Sequence, residues 1–213
     1  MLKYDLHMHT NYSRCSNLKP EVLLKTAKKR KLNGIAVTDH HTIEGALKVK
    51  ELNKDKGFEV IVGEEITTKQ EDVLAYYIKE HIKTTDFFEM VEEVRKQNGL
   101  IVIPHPFRTY LTPGHKFKLP LSEVKNKIDA IECFNARMIF PGDNKKADKA
   151  ADKLNIAKTG GSDAHFKFDI ATGYTLFEGD LRKALKNRKT KATGTIMYGS
   201  MGALLSFLRK RIY

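Results

Sequence analysis

Along this chain, short apolar runs alternate with stretches whose apolar residues recur at helical spacing. That alternation is the signature of β/α units around a parallel sheet or barrel. The run Y-D-L-H-M-H-T, from Tyr4 to Thr10, reads as the first strand, and Pro20 opens a helix whose Val22, Leu23 and Ala27 share a face, ended by Asn33-Gly34. G-I-A-V-T-D-H gives a second strand, residues 42–54 a second helix with Ile43, Ala46, Leu47 and Val49 apolar, F-E-V-I-V-G a third strand and V-L-A-Y-Y-I a fourth. Asp86 and Glu89 have capping-box spacing ahead of a helix carrying Phe87, Phe88, Val91 and Val94, which Gly99 ends before the strand L-I-V-I-P.

Residues 106–120 hold Phe107, Tyr110, Pro113, Gly114, Phe117 and Pro120 and read as a long loop. I-D-A-I-E-C-F forms the next strand. A helix from about Asp143 follows, with Ala147, Ala150, Ala151 and Leu154 at i, i+3, i+4 and i+7. Strands at 156–159 and 172–177, a short helix from Asp180 and a basic amphipathic helix near 200–211 complete the chain. Leu204, Leu205 and Leu208 of that last helix are expected to close the barrel end, with Arg209, Lys210 and Arg211 complementing its dipole.

Composition narrows the class. With 213 residues, 41% apolar and 30% charged, the chain can bury a sizeable core as one domain spanning 1–213. No apolar run approaches the roughly 20 residues of a spanning helix, so a cytoplasmic protein without a membrane partner is expected. Cys15 and Cys133 lie far apart and show no C-x-x-C spacing, which argues against a disulfide framework or a thiolate zinc site. The balance of 38 Lys+Arg over 26 Asp+Glu gives +12 and attracts phosphate-bearing partners, but much of it is lysine spread over helix faces, as at Lys25, Lys28, Lys29 and Lys31.

The candidate chemistry sits at strand ends. His7 and His9 stand two apart; T-D-H-H at 38–41, G-E-E at 63–65, P-H-P at 104–106 and G-S-D-A-H at 161–165 each follow an apolar run. In a β/α barrel these ends converge on the face where active sites lie. Six of the eight histidines fall there, counting His41; His81 and His115 lie elsewhere and read as surface residues. Neutral imidazoles mixed with carboxylates suit Zn, Mn or Fe, and a carboxylate can bridge two such ions.

In this pattern the chain resembles the PHP family, the polymerase and histidinol phosphatase superfamily of metal-dependent phosphoesterases. H-x-H, T-D-H, a Glu after a strand, H-P and S-D-x-H are matched in order by His7, His9, His40, Glu65, His105, Asp163 and His165. The resemblance implies an α/β fold, a distorted (β/α)7 TIM-like barrel holding two or three divalent metal ions, with Glu65 bridging two of them and Glu64 the weaker candidate. It also implies hydrolysis of a phosphate ester by metal-bound hydroxide, with Glu65, Asp163 and His165 catalytic. His7, His9, Glu65 and Asp163 with His105 are expected to hold the enclosed metal pair, and His40 and His165 to serve the neighbouring position.

Two departures stand out. Where the family has an Asp as S-D-G, this chain reads Ser13-Arg14-Cys15-Ser16, and Arg14 is expected to clamp phosphate because a guanidinium cannot ligate a cation. Where the family has a histidine on the fourth strand, this chain has Asp72, an oxygen donor that tilts the site toward Mn or Fe. Arg108 and Arg137 resemble positions that hold substrate phosphate. Asp5 and Asp39 are expected to orient imidazoles, Asp5 because strand alternation puts it on the face of His7. A phosphorylated small molecule or nucleotide monoester is the favoured substrate. The alternatives are a nuclease or phosphodiesterase on DNA or RNA, and a non-catalytic binding module for a nucleic-acid machine. Oligomeric state is not encoded in these patterns.

Overall fold

The computed structural model describes residues 1–109 and 117–196. Seven strands lie side by side in chain order: β1 (Leu2–Asp5), β2 (Gly34–Val37), β3 (Glu59–Thr68), β4 (Glu71–Tyr76), β5 (Leu100–Ile103), β6 (Ala130–Asn135) and β7 (Ala157–Gly161). An antiparallel hairpin of β8 (Gly173–Phe177) and β9 (Lys191–Gly194) continues the sheet beyond β1. The helices are α1 (Pro20–Lys29), α2 (Glu44–Leu52), α3 (Phe87–Lys96), α4 (Leu121–Val124), α5 (Pro141–Leu154) and α6 (Leu181–Lys186).

The sheet curls into a nearly closed, distorted TIM-like barrel, as the sequence resemblance implied. Its distortion is local to β1. Leu2, Lys3 and Tyr4 pair with β8, which wedges between β1 and β7 at that end. Beyond Asp5 the chain turns to the continuation of β7, where Asp163 N donates to the His7 carbonyl at 2.8 Å and His9 N to the Ala164 carbonyl at 2.9 Å. On the other side Thr38 N donates to the Met8 carbonyl at 2.8 Å. The seven strands therefore close on each other at the end where the histidines emerge, which we call the mouth.

Two apolar layers explain the curl. Tyr4, Leu6, Ala36, Ile61, Leu74, Tyr76, Val102, Ala130 and Ala157 fill the barrel, at least one from each of the seven strands or its continuation. The opposite face of the strands packs on the helices through residues such as Ile35, Val37, Val62, Val73, Ile101 and Ile131 against Leu23, Ala46, Val49, Phe87, Val94 and Ala151. This two-sided burial is what near-continuous apolar strands require.

The strand directions differ from the all-parallel expectation. β4 is antiparallel to both β3 and β5, because β3 runs on to Thr68 and turns through Lys69-Gln70 with no helix between them. Apolar patterning carries no direction, so it cannot distinguish the two. β9, a polar K-A-T-G strand, was not expected either. Helix ends also shift: α1 stops at Arg30 and Lys31 (φ 58°), ahead of Asn33-Gly34, and Asn98 (φ 58°), not Gly99, takes the left-handed turn after α3. Asp86 does cap α3, accepting from Phe88 N and Glu89 N. No helix among the described residues is long and apolar enough to cross a membrane. Tyr110, Pro113, Gly114 and His115 of the long loop, and the basic helix expected at about 198–213, lie outside the described residues.

Candidate metal centre

Strand alternation carries the barrel's inner face up to the mouth. Beyond Ala36 the same parity reaches Thr38 and His40; beyond Ile61 it reaches Gly63 and Glu65; below Leu74, on antiparallel β4, it reaches Asp72. Ala130 leads to Glu132, and Ala157 leads through Gly161 to Asp163. Glu64 has the opposite parity, and its carboxylate pairs with His81 Nδ1 at 2.7 Å and accepts from Ile82 N at 3.1 Å, away from the inward-facing Glu65. Half-exposed His81 is thus bound to a buried carboxylate on the outer face.

The parity of β1 breaks at Leu6–His7. Tyr4 and Leu6 fill the barrel, yet His7 and His9 also face its axis, while Met8 joins the outer layer. Asp5 consequently does not orient the His7 ring. Its buried carboxylate accepts from Ser162 N at 2.9 Å, Ala171 N at 2.9 Å and His7 N at 3.4 Å, tying β1 to the β7–β8 connection, and burial pushes its pKa up to about 6. Asp39 likewise holds backbone rather than an imidazole: it accepts from Thr10 N at 2.7 Å, Thr10 Oγ1 at 2.6 Å and Ser13 Oγ at 2.7 Å.

Glu65 is the hub. Its Oε2 lies 3.3 Å from His7 Nε2, 3.2 Å from His9 Nε2 and 3.4 Å from His40 Nε2, and its Oε1 lies 3.3 Å from His105 Nε2. Asp163 Oδ1 stands 3.4 Å from His9 Nε2 and 3.9 Å from His7 Nε2. The His9 ring centroid is 4.5 Å from that of His165, 4.8 Å from His40 and 5.2 Å from His7. Five imidazoles and two carboxylates thus share one pocket, and Asp72 joins Glu65 and His105 with ligand atoms mutually within 4.8 Å. Asp72 also accepts from Thr67 Oγ1 at 2.7 Å.

The electrostatics follow from this crowding. Burial alone would raise Glu65, but His40, His7 and the His105 contact outweigh it and hold its carboxyl well below the usual range. Burial would lower His7, yet Glu132, Glu65 and Asp163 together hold it well above its ordinary value. Burial, reinforced by Arg137, pushes His165 well down, and burial lowers His40. His165 is thereby kept neutral, with a lone pair to offer.

Cations fit this donor set better than protons alone do. His9 is fully buried, and among the described residues its Nδ1 has no hydrogen-bond partner while its Nε2, 3.2 Å from Glu65 Oε2 and 3.4 Å from Asp163 Oδ1, makes no aligned hydrogen bond to either. A buried polar ring left in that state is costly unless a further ligand completes it. Clusters His7–His9–Glu65, His9–Asp163–His165, His7–His105–Asp163 and Glu65–Asp72–His105 each bring three ligand atoms within 4.8 Å of one another, the N/O mixture that divalent transition ions take.

Several supporting residues escaped the sequence reading. Glu132 accepts from His7 Nδ1 at 3.0 Å through Oε1, and from His105 N and Asn135 Nδ2, each at 3.0 Å, through Oε2. Asp169 Oδ2 accepts from His165 N at 3.1 Å and Phe166 N at 3.0 Å, fixing the turn that presents His165. Gly161 lets β7 approach His7, since a Cβ there would sit 2.4 Å from His7 Cβ and 2.9 Å from Glu132 Oε1. Of the two acidic residues inside I-D-A-I-E-C-F, Glu132 shares parity with Ala130, and that parity was the available signal.

The arginines separate. Arg137 is buried, with Nε 3.8 Å from Asp163 Oδ2 and Nη1 3.7 Å from Asp169 Oδ2; Arg108, partly exposed, reaches Asp163 Oδ2 at 3.8 Å through Nη1. Arg14 is exposed and, among the described residues, joins none of the ion pairs of the centre. The turn around it buries Ser13, Cys15 and Ser16 instead and directs the Cys15 sulfur to the cluster, within 4.8 Å of His9 and His40 ligand atoms. His41 is exposed, at φ 53°.

The chain is similar to several known proteins. An uncharacterized protein of Methanocaldococcus jannaschii is 36% identical over 148 residues, 63% of this chain and 82% of the relative. A 5′-3′ exoribonuclease of Haemophilus influenzae is 27% identical over 180 residues, 82% of this chain and 59% of that protein. A two-domain protein from Bacteroides vulgatus, containing a predicted PHP-like metal-dependent phosphoesterase, superposes with a TM-score of 0.75 at 23% identity, over 91% of this chain and 65% of that one. The family model of the PHP-associated segment matches residues 141–190, and that of the PHP domain matches residues 5–119. The latter spans more than half of the sequence and every proposed ligand except Asp163 and His165, and the chain belongs to the PHP family.

Proposed function

We propose that the protein is a metal-dependent phosphoesterase that hydrolyses a small phosphate monoester, a nucleotide monoester included. The observation that carries this reading is the position of Glu65, one carboxylate shared by four imidazoles at 3.2–3.4 Å beside a second carboxylate, Asp163. In this reading His7, His9, His105, Glu65 and Asp163 hold an enclosed pair of Mn, Fe or Zn ions, with Asp72 as an added oxygen donor, and His40 and His165 serve a neighbouring position. Bound divalent cations supply a water of lowered pKa as nucleophile and offset charge on phosphoryl oxygens.

The chain's own groups do the rest. Glu132 holds the His7 ring by its Nδ1, so that Nε2 faces Glu65. Asp163 O accepts from His165 Nδ1 at 2.8 Å, leaving Nε2 of His165 as acceptor or ligand. In this reading Arg108, partly open to solvent beside Asp163, binds the substrate's phosphoryl oxygens as they enter, while buried Arg137 balances Asp163 and Asp169 from behind.

A nuclease reading is the competitor. The net charge of +12 and the likeness to the exoribonuclease favour it, although that likeness spans only 59% of the relative. The deciding experiment reconstitutes the protein with Mn, Fe and Zn and offers an aryl phosphate monoester, the matching diester and single-stranded RNA. Chelator-sensitive monoester turnover supports the proposal. Turnover of diester and RNA alone replaces it with the nuclease, and no hydrolysis of any ester leaves only a binding role.

A further inference from the structure

We propose that Cys15 is a thiolate ligand of one metal position, shared with His40 and His9, so that the mouth holds a sulfur-containing end and an oxygen-rich end. The inference rests on the metal-centre reading above. Its own ground is local. The Cys15 sulfur, a His40 nitrogen and a His9 nitrogen lie within 4.8 Å of one another, the span that three ligands of a single cation occupy.

The fold works to put the thiol there. Ser13 Oγ donates to Asp39 and accepts from His40 N at 2.9 Å, so the turn before Cys15 is pinned to the strand end that carries His40. Ser16 Oγ, on the far side, donates to the His9 carbonyl at 3.0 Å and the His165 carbonyl at 3.1 Å. Cys15 is held between these two anchors, 3% exposed. His9 supplies the second observation: it is wholly buried, aimed into the same cluster, and among the described residues its Nδ1 has no hydrogen-bond partner and its Nε2 makes no aligned hydrogen bond to the carboxylates beside it.

The consequence is a division of donor types. Glu65, Asp72 and His105 offer two oxygens and a nitrogen, while Cys15, His9 and His40 offer a sulfur and two nitrogens. Thiolate selects Zn or Fe over Mn, and carboxylate the reverse. Binding at the sulfur end releases the thiol proton to solvent as the metal–sulfur bond forms.

The test reads sulfur directly, on the full-length protein. Zinc-loaded wild type is measured by X-ray absorption at the zinc edge, and cobalt-substituted wild type, Cys133→Ser, Cys15→Ser and Cys15→Asp by near-ultraviolet spectroscopy with metal analysis. We expect a Zn–S shell at about 2.3 Å and a sulfur-to-cobalt charge-transfer band in wild type and Cys133→Ser. Both Cys15 variants should lose the band, and Cys15→Asp should keep the metal while shifting its preference toward Mn. Zinc bound by nitrogen and oxygen alone overturns the thiolate assignment and leaves the metal centre standing; protein that takes up no metal overturns both. The wild-type absorption measurement decides the matter even if Cys15→Ser does not fold.

Discussion

Glu132 Oε1 and His7 Nδ1 meet at 3.0 Å in a fully buried contact, and this one hydrogen bond settles which nitrogen of His7 faces Glu65. With Nδ1 donating to the carboxylate, Nε2 is the nitrogen that offers a lone pair to a cation once its proton is lost. Such partners typically account for 10–100-fold in metal affinity. Glu132→Gln should therefore keep the fold and weaken metal binding by about that factor, read by competition with a chromophoric chelator. Unchanged affinity would remove Glu132 from the centre.

Gly45 opens α2 directly over Asp39. A Cβ there would lie 2.1 Å from Asp39 Oδ2 and 2.3 Å from Thr10 Oγ1, both in a buried network that fixes the turn after His9. Gly45→Ala should cost about 1–3 kcal/mol of stability by overpacking, measured by urea unfolding. Although alanine is the better helix former, a neutral or stabilising result would show that the Asp39 network yields easily.

The two arginines should part company. Arg137 is buried between Asp163 and Asp169, and Arg137→Met removes the buried cation that faces both carboxylates; a loss of about 3–5 kcal/mol is expected, as for breaking a buried pair. Arg108→Ala, at a partly exposed side chain, should leave thermal stability within about 0.5 kcal/mol and raise KM for the monoester. Equal effects on stability would contradict the separate roles.

Protons compete with cations for these imidazoles. His7 and His9 are held above their ordinary pKa by neighbouring carboxylates in the metal-free pocket, so metal uptake must displace protons there. Metal affinity should be greatest above about pH 7.5 and fall steadily toward about pH 5, which a chelator titration across that range checks. A flat profile would mean that the imidazoles are not the ligands.

Much of this was readable in the linear chain, for a physical reason. His40, Glu65 and Asp163 sit at even steps from barrel-filling Ala36, Ile61 and Ala157, and alternation survives along regular strands. It failed where strands are irregular. The phase break at Leu6–His7 let His7 and His9 share the axis with Leu6 and sent Asp5 to backbone amides instead of a ring. Glu132 obeys alternation, but an acidic residue in an apolar strand is conspicuous only once His7 is known to need a partner. Cys15 has no partner at C-x-x-C spacing to mark it, and the turn that exposes Arg14 while burying Cys15 depends on serine hydrogen bonds that no spacing rule encodes. The reversed β4 was equally silent, since burial on both faces looks the same in either direction.

Metal content of wild type against Glu65→Gln tests the central claim most directly. After reconstitution, elemental analysis should find at least two divalent ions per wild-type chain, in line with the two-metal chemistry the cluster suits. Glu65→Gln, nearly isosteric but unable to supply an anionic bridge to four imidazoles, should lose at least one ion and all metal-dependent hydrolysis while remaining folded. A wild-type chain that takes up no metal, or a Glu65→Gln variant that keeps its full complement, would contradict the account.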